Sequence, residues 1–526
     1  MRQTEGLHQK HDISGLIGFS AQRTTIKTAG ILGVDFPSDM IQTLNQSSTI
    51  MIYDENQNRA TGTWRKASSM ASVFSRFSYS YEDRYLLSAS LRTDGSSKFG
   101  KNNQWAWFPS VSLGWRVSEE SFVKDNAKWM SQLKLRASYG VTGTDNIDSY
   151  ANVNLLQSAN YILGEGNGSV VTGIANNSSV LGNSDLRWEQ TNEYNYGLDL
   201  SVLNNRIGLT VDYYYSKTKS LLFKRPINSV SGYQEKWTNL GQVRNKGIEI
   251  ELTTYNIQNK NFKWNTSFNI SANKNKVLDL GGPSDLKFYG ERNEMYVTQV
   301  GAPSIQFWGY KTVGVWTSAE EVKANPHAET DAAGGLRVQN TNGDNVIDEN
   351  DMVVLGDPFP DYTWGITNTL RYKDFDFSFL FQGVQGVDVW NGDEYYNETR
   401  KWNRNYVTNR WINAENPGDG KTPYQNNGID HMFTDYAIQD ASYIALKDIT
   451  LGYTLPKKVA KKIGLSGLRV YTSIQNLKYW WSSDYKGINP ESRYTSSPYN
   501  VPLVAGYQRG AFPIQRTFSF GIDFNF

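Results

Sequence analysis

Residues 514–526 have the sequence IQRTFSFGIDFNF, and from Phe518 onward apolar residues alternate with polar or small ones at every position. Strict alternation is typical of a β-strand with two unlike faces, because successive side chains point to opposite sides. One face has only large apolar side chains, at Phe518, Phe520, Ile522, Phe524 and Phe526. We expect this face to contact lipid, as in a membrane-spanning β-barrel. The alternative is an edge strand of a soluble β-sandwich.

The same alternation recurs in thirteen segments upstream of this strand. Apolar and aromatic residues form one face of each segment, while Arg, Lys, Glu, Asp, Asn and Ser are frequent on the other. A small soluble barrel would have an apolar interior, so this pattern indicates a wide, wet lumen. The stretch 24–72 is mostly polar and predicts a loop. The thirteen predicted strands are 16–22, 73–81, 85–93, 107–117, 132–141, 189–202, 206–216, 245–254, 262–272, 363–373, 375–383, 441–455 and 468–476.

Short and long connections alternate between these strands. This predicts antiparallel up-and-down topology, with short turns at one rim and long loops at the other. Strands of about ten residues, tilted by about 40°, span about 25 Å, the height of an outer-membrane apolar band. The predicted fold class is all-β: an antiparallel up-and-down transmembrane β-barrel with long extracellular loops and short periplasmic turns. The long connections are 94–106, 142–188, 217–244, 273–362, 384–440 and 477–513.

The composition agrees with this fold and excludes several function classes. The 526 residues include 45 Gly, 32 Tyr and 16 Trp, which suits an all-β chain with long turns. A net charge of +1 gives no general attraction to nucleic acid. The absence of Cys excludes disulfides, and no apolar run approaches the ~18 residues of a membrane-spanning helix. Residues 1–30 lack a signal-peptide pattern, so we expect the chain to be part of a longer exported precursor.

Seven short blocks of sequence, spread over the chain, are distinctive in more than their alternation of apolar and polar residues. They are FSYSYEDRYLL (77–87), RTDGSSKFG (92–100), FPSVSLGWR (108–116), DLRWE (185–189), NKGIE (245–249), FQG (381–383) and LGYTLP (451–456). In combination they resemble the SusC/RagA family of TonB-linked outer-membrane transporters of Bacteroidota. The resemblance covers nearly the whole chain.

The resemblance implies a barrel of about 22 strands, of which about 14 lie in this chain. Residues 1–526 would then be the C-terminal part of the barrel, without the signal peptide and the N-terminal plug domain. The implied function is TonB-dependent import of large nutrients, either glycan fragments or oligopeptides, across the cell outer membrane. The implied partners are a SusD-like surface lipoprotein that acts as a lid, and the TonB complex, which acts through the missing N-terminal region.

Residues 340–351, NTNGDNVIDEND, approximate the spacing of a twelve-residue calcium loop. Asn345 stands at the position that usually requires Gly, and the last ligand is an Asp rather than the longer Glu. The alternative is a plain turn rich in Asn, Asp and Gly. The predicted metal ligands are Asn340, Asn342, Asp344, Val346 (through its carbonyl), Asp348 and Asp351. Calcium is the single cofactor that the sequence suggests.

Tryptophans are frequent in the predicted loops and at their edges. At an outer mouth they would provide flat surfaces on which sugar rings or peptide side chains stack. The alternatives are a girdle at the membrane interface and packing between loops. The predicted substrate-binding residues are Trp308, Trp390, Trp402, Trp411, Trp480 and Trp481.

Several cations on the predicted inward face are candidates for lining a substrate path. The alternative is that they pair with a plug domain or with inward carboxylates such as Glu249 and Glu251. The cations are Arg76, Arg92, Arg116, Lys134 and Arg136.

The sequence has no pattern of a catalytic site. Of the four His, the close pair His8 and His11 lies in a polar stretch without further ligands. The sequence has no Cys and no nucleophile-elbow motif, so it offers no recognisable nucleophile for acyl transfer. The glycines at 164–168 lack the flanking strand and helix of a phosphate-binding loop. We therefore predict no enzyme activity. The alternatives are a passive outer-membrane channel, an outer-membrane barrel enzyme, and a secreted soluble glycan-binding protein.

Overall fold

The computed structural model divides the chain into two compact units. Unit 1 consists of Met1–Leu113, Ser138–Asn192 and Thr218–Leu240, and unit 2 of Gly114–Ala137, Glu193–Lys217 and Gly241–Phe526. The structure describes residues 10–38, 40, 43–51, 53–54, 59–60, 62–163, 169–176, 180–290, 294–392, 409–424, 428–492 and 503–526.

Within these described residues, fourteen strands form one antiparallel sheet in which each strand pairs with its neighbours in sequence. This order confirms the predicted up-and-down topology. The strands are β1 (His11–Gly30), β2 (Gly62–Tyr81), β3 (Tyr85–Ser96), β4 (Trp105–Arg116), β5 (Met130–Thr144), β6 (Glu189–Val202), β7 (Ile207–Lys219), β8 (Gln242–Gln258), β9 (Phe262–Asp279), β10 (Tyr362–Tyr372), β11 (Phe375–Gln385), β12 (Tyr443–Thr454), β13 (Gly467–Trp481) and β14 (Thr517–Asn525).

Shorter elements occupy the connections. The additional strands of unit 1 are Leu32–Val34, Thr49–Met51, Tyr53–Asp54, Arg59–Ala60, Leu156–Leu163, Ser169–Asn176, Val180–Leu181, Leu222–Pro226 and Glu235–Asn239. Those of unit 2 are Asp285–Tyr289, Met295–Gln299, Gln306–Gly309, Thr312–Val315, Leu336–Val338, Val353–Gly356, Asp388–Asn391, Ile438–Asp440 and Tyr507–Gln508. The helices with described bounds are α1 (Ser121–Asn126), α2 (Ala319–Ala324) and α3 (Lys457–Lys462), with 3₁₀ turns at Leu44–Gln46, Val117–Glu119, Ser229–Ser231, Glu349–Asp351, His431–Phe433 and Asp435–Ala437. None of the described helices has the length and hydropathy that a membrane crossing requires.

The prediction of a loop over residues 24–72 is wrong at both ends. Strand β1 continues to Gly30 and β2 begins at Gly62, and the two pair residue by residue from His11 opposite Tyr81 to Gly30 opposite Gly62. The parts of these strands that fall within the predicted loop, residues 24–30 and 62–72, are mostly polar on both faces. No alternation of apolar and polar residues therefore identifies them as strand. The ladder satisfies the amide and carbonyl groups of this extension without an alternating apolar face, and Met70 of β2 packs against the apolar cluster of Phe99 and Trp188.

Two of the short turns take left-handed backbone conformations. Asn204 and Asn205 have φ of 57° and 61°, and Glu82 and Asp83 have φ of 47° and 57°. Positive φ at consecutive turn residues matches the twist of the paired strands, and Asn accepts it at small cost.

Three of the sequence blocks meet in one apolar cluster of unit 1. Phe99, Phe108 and Leu186 are buried together with Trp188, whose ring centroid lies 5.3 Å from that of Phe99 and 5.4 Å from that of Phe108. The Trp188 Nε1–H donates to the carbonyl of Gln104 at 2.8 Å. The blocks at 92–100, 108–116 and 185–189 are therefore tied together by packing.

Charged groups on the inward face of unit 2 pair with one another across strands. Arg136 on β5 donates from Nε to Asp199 of β6 at 2.9 Å and from Nη2 to Asp212 of β7 at 2.9 Å. A side chain at Gly197 would occupy the space of this guanidinium. Arg136 therefore pairs with inward carboxylates, which was the alternative to lining a substrate path. Its partners are Asp199 and Asp212 instead of Glu249 or Glu251.

Candidate functional site

Three long connections of unit 2 build a folded layer at the long-loop rim. We name them loop A (280–361), loop B (386–442) and loop C (482–516). The central strand Asp388–Asn391 of loop B pairs on one side with Ile438–Asp440 and on the other with Tyr507–Gln508 of loop C. Loop A contributes a four-stranded sheet of its own.

Each of the three loops supplies side chains to a shared apolar core. Trp390 of loop B is 0% exposed, and its ring lies 5.7 Å from Tyr296 and 5.3 Å from Phe307 of loop A. The remaining core members are Ile305, Met432, Ala437, Val504 and Tyr507. Burying rings of this size from three loops gives the layer a fixed shape, because each ring removes much apolar surface from water.

A polar cavity of about 490 Å³ lies where the three loops meet. This volume falls within the range of small-molecule sites, which is about 300–1,000 Å³. Its wall combines carboxylates, ammonium groups, hydroxyls and one phenol. The lining residues are Thr312, Val313, Gly314, Asp419, Lys421, Thr422, Asp435, Tyr436, Ile438, Gln439, Asp484 and Lys486.

Hydrogen bonds between loops fix the polar wall of the cavity. The Asp435 carboxylate accepts from the Thr312 amide at 2.8 Å and from its hydroxyl at 2.6 Å. The Gln439 side-chain oxygen accepts from Asn391 Nδ2 at 2.8 Å and from the Lys486 amide at 3.0 Å. These bonds hold the cavity open in one geometry, because moving any of the loops would leave a buried polar group unpaired.

Carboxylates from all three loops crowd together beside the cavity. Burial, with a smaller contribution from the charges of Asp357, Asp440 and Asp484, raises the pKa of Asp388 to about 6. Burial also raises the pKa of Asp357. These groups do not form a metal centre, since among the described residues no group of three or more His, Cys, Asp or Glu is arranged to hold an ion.

Among the residues that the structure describes, the predicted tryptophans lie in different surroundings. Trp411 is the one beside the cavity: its Nε1–H donates to the Thr317 carbonyl at 3.1 Å, and its amide donates to the carbonyl of Thr422, a lining residue. Trp308 is half-buried, and Lys287 Nζ lies 5.2 Å from its ring centroid. Complete burial of Trp390 favours packing between loops for that residue.

Trp480 and Trp481 lie at the long-loop end of β13. Trp480 is 48% exposed and stacks on Phe381 at 6.3 Å, as expected of an interfacial girdle, while Trp481 packs edge-on against Tyr485 at 6.0 Å. Trp402 lies outside the described residues. A stacking role for these tryptophans stays a prediction.

The loop at 340–351 forms a network of hydrogen bonds within itself. Asp351 is 0% exposed, and its carboxylate accepts from the amides of Thr341 at 2.8 Å and Asp348 at 3.0 Å. Asn342 accepts from the Asp344 amide, and Asp344 accepts from the Val346 amide. Asn340 donates to the Asp344 carbonyl. The carboxylates serve as caps for the backbone, which favours the plain turn, and calcium binding stays a prediction.

Sequence reasoning missed the residues that line the cavity. Thr312 and Asp435, which hold its wall, are 123 positions apart. Neither belongs to an alternating stretch or to a motif. The useful signal was the length of the loops, which marks the rim but no individual residue.

Known proteins resemble the chain in sequence and in fold. Residues 7–477 match the family model described as TonB dependent receptor-like, beta-barrel. The TonB-dependent receptor P26 of Formosa agariphila is 35% identical over 98% of this chain and 52% of its own length. The TonB-dependent receptor SusC of Bacteroides thetaiotaomicron is 30% identical over 87% of this chain and 44% of its own. The chain thus spans about half the length of the curated relatives it matches.

A solved structure described as the RagAB peptide transporter has the same fold. It superimposes with a TM-score of 0.79 at 24% identity, over 98% of this chain and 54% of that one. The family comprises receptors rather than enzymes. On these matches, the chain belongs to the TonB-dependent receptor family and forms part of a β-barrel of the cell outer membrane.

Proposed function

We propose that the complete protein imports a large hydrophilic nutrient, either an oligopeptide or a glycan fragment, in a TonB-dependent manner. Capture would occur at the long-loop rim, with a SusD-like surface lipoprotein closing over the bound nutrient. TonB would supply the energy for passage through the lumen. The barrel itself would make no covalent change to its cargo.

The observation that supports this proposal is the polar cavity shared by loops A, B and C. Its wall offers Asp435 and Asp484 as acceptors, and Lys421 and Lys486 are cationic. Several such groups around about 490 Å³ suit a ligand with many hydrogen-bonding groups, such as a peptide backbone or a run of sugar hydroxyls. The packed core beneath preorganises the wall, which reduces the entropy lost on binding.

Uptake by cells that express the complete receptor tests this function. We expect a strain with the receptor to take up a labelled peptide pool or a labelled glycan pool, and a strain without TonB to take up neither. The double variant Lys421→Ala and Asp484→Ala should reduce uptake about tenfold, because losing two charge-assisted hydrogen bonds costs about 1.4 kcal/mol or more.

The matched control is Lys457→Ala with Lys461→Ala, which removes charges on exposed α3 at the short-turn rim. It should take up the nutrient like the unaltered receptor. Uptake that persists without TonB would identify a passive channel instead. Equal uptake by both variants would exclude the cavity as the capture site.

A further inference from the structure

Four cations form a compact grid on the outward face of β8 and β9. Lys246 lies directly opposite Lys274, and Arg244 lies directly opposite Lys276. We name these four residues the cation grid. They stand at the long-loop end of the two strands, because the short turn at 259–261 joins the other end.

The intervening residues establish which face the grid occupies. Asn245, Gly247 and Asn273 alternate with the cations, and Tyr214 donates to Asn273 at 3.0 Å while Asn273 donates to Asn245 at 3.3 Å. A side chain at Gly247 would collide with Tyr214. These polar contacts lie on the lumen face. The cations, one position away along each strand, therefore point towards the membrane.

The cation grid follows directly on the apolar surface that contacts lipid. Below it on the same face lie three cross-strand pairs: Leu252 with Phe268, Ile250 with Ile270, and Ile248 with Ala272. Trp364 lies opposite Ile270 and supplies an aromatic residue near the interface. Lys274 is four residues beyond Ile270, about 13 Å along the strand, so the grid reaches the height of lipid headgroups.

The grid is electrostatically unfavourable as it stands. Like charges directly opposite one another on a sheet repel, and this face has two such pairs. No ion pair joins any of the four to a carboxylate in the part of the chain that the structure describes. The Nε of Arg244 is shielded from solvent and has no acceptor among those residues. An external anion that contacted the ammonium groups and the Nη groups of Arg244 would relieve the repulsion.

We propose that the cation grid binds the phosphate groups of an anionic lipid in the outer leaflet of the outer membrane. Arg244 would contact a phosphate through its fork of N–H donors, and the three lysines would act as point charges around it. The acyl chains would lie on Ile248, Ile250 and Ile270. The unbroken apolar surface below the grid favours a lipid over an acidic protein.

Lipid binding by the complete receptor in detergent tests the proposal. The probe is diphosphoryl lipid A added to neutral detergent micelles, and the readout is the bound lipid counted by native mass spectrometry together with its Kd. We expect replacement of all four cations by Gln to weaken binding at least tenfold. Replacement of Lys246 and Lys274 alone should give an intermediate loss. Binding should also weaken as salt is raised, because the contacts are ionic.

The matched control replaces Lys457, Lys458, Lys461 and Lys462 by Gln, which removes the same charge from α3 at the opposite rim. This control should bind lipid A like the unaltered receptor. The four-Gln variant should fold at least as well, since it removes repulsion, and the Lys246/Lys274 pair alone provides a second test.

Three outcomes would overturn the proposal. One is equal lipid binding by the four-Gln variant and the control. Another is inorganic phosphate competing as well as lipid A at equal concentration, which would identify a simple anion site. The third is loss of an acidic protein partner from the four-Gln variant while its lipid binding stays unchanged.

Discussion

At the scale of single residues, Arg136 shows how the wet interior is stabilised. Its guanidinium bridges Asp199 and Asp212 on two neighbouring strands. The sequence predicts that Arg136 faces inward, since it alternates with Leu135 and Ala137. The partners were beyond sequence reasoning, because they depend on which strands are neighbours and in what register.

Replacing Arg136 by Met should lower the free energy of unfolding by about 2 kcal/mol, because two partly buried carboxylates would face each other without a counter-charge. Denaturant unfolding in lipid vesicles measures this change. Adding Asp199→Asn and Asp212→Asn to the same variant should recover much of the loss. Lys124→Met, which breaks an exposed pair with Glu119, should change stability by less than about 0.5 kcal/mol. An equal effect of both single variants would contradict the bridge.

Asp388 should make the loop layer sensitive to pH. Its pKa of about 6 in the folded state is above the ordinary value of 3.8. Between about pH 4 and pH 6, the folded state therefore binds more protons than the unfolded state. The free energy of unfolding should therefore fall as pH rises from about 4 through about 6, and the stabilisation is fully present at the acid end. Tryptophan fluorescence during thermal unfolding, followed across this window, measures the slope.

Asp388→Asn imitates the protonated form and should flatten this slope. It removes the charge that faces Asp357, Asp440 and Asp484. Glu415→Gln, an exposed carboxylate elsewhere in loop B, should keep the slope of the unaltered protein. A slope that survives in Asp388→Asn would assign the pH dependence to another group.

At the scale of elements, alternation predicts the membrane-facing part of each strand and misses the rest. All fourteen predicted strands are present, but β9 continues to Asp279, seven residues past its predicted end, and β2 begins eleven residues early. We place these extensions beyond the hydrocarbon layer, where neither face needs to be apolar. The period that identifies a strand disappears although the backbone ladder continues.

Cross-strand packing of an aromatic ring on a glycine sets the fit of β10 against β11. Trp364 lies directly opposite Gly383, and a Cβ at Gly383 would collide with the indole. Gly383→Val should therefore destabilise the barrel by about 2 kcal/mol through overpacking, although Val is a good strand former. Gly15→Val on β1, where open space surrounds the Cβ, should be close to neutral in the same unfolding assay. Equal stability of the two variants would contradict this packing.

The turn at 340–351 should be stabilised by its own hydrogen bonds. Asp351→Ala leaves the amides of Thr341 and Asp348 without an acceptor and should destabilise this turn by about 2 kcal/mol. Asp344→Ala removes a cap from an exposed position and should have a smaller effect. Hydrogen exchange of these amides measures both.

The same exchange experiment, with EDTA or with about 1 mM calcium, separates the turn from an ion site. We expect protection of the unaltered loop to be equal in both conditions. Protection that rises with calcium and is lost in Asp344→Ala would favour the calcium interpretation of the sequence.

At the scale of the whole molecule, one physical rule accounts for what the sequence could predict. Lipid outside and water inside force a period of two on every strand, so fold class and topology follow from one-dimensional pattern. The polar cavity obeys no such rule. Its walls come from loops far apart in sequence, and their residues are ordinary polar ones until the shared core of Trp390, Tyr296 and Phe307 brings them together.

Strand β14 can test whether apolar side chains face lipid and polar side chains face the lumen. Phe520 and Ser519 are neighbours near the middle of β14 and point to opposite faces. Phe520→Arg places a charge in hydrocarbon and should lower the free energy of unfolding in lipid vesicles by about 2–4 kcal/mol. Ser519→Arg places the same side chain in the wet lumen and should change stability by less than about 1 kcal/mol, because the charge stays hydrated. If Ser519→Arg were the more damaging variant, the apolar face would be the buried one and the lipid-facing assignment of every strand would be reversed.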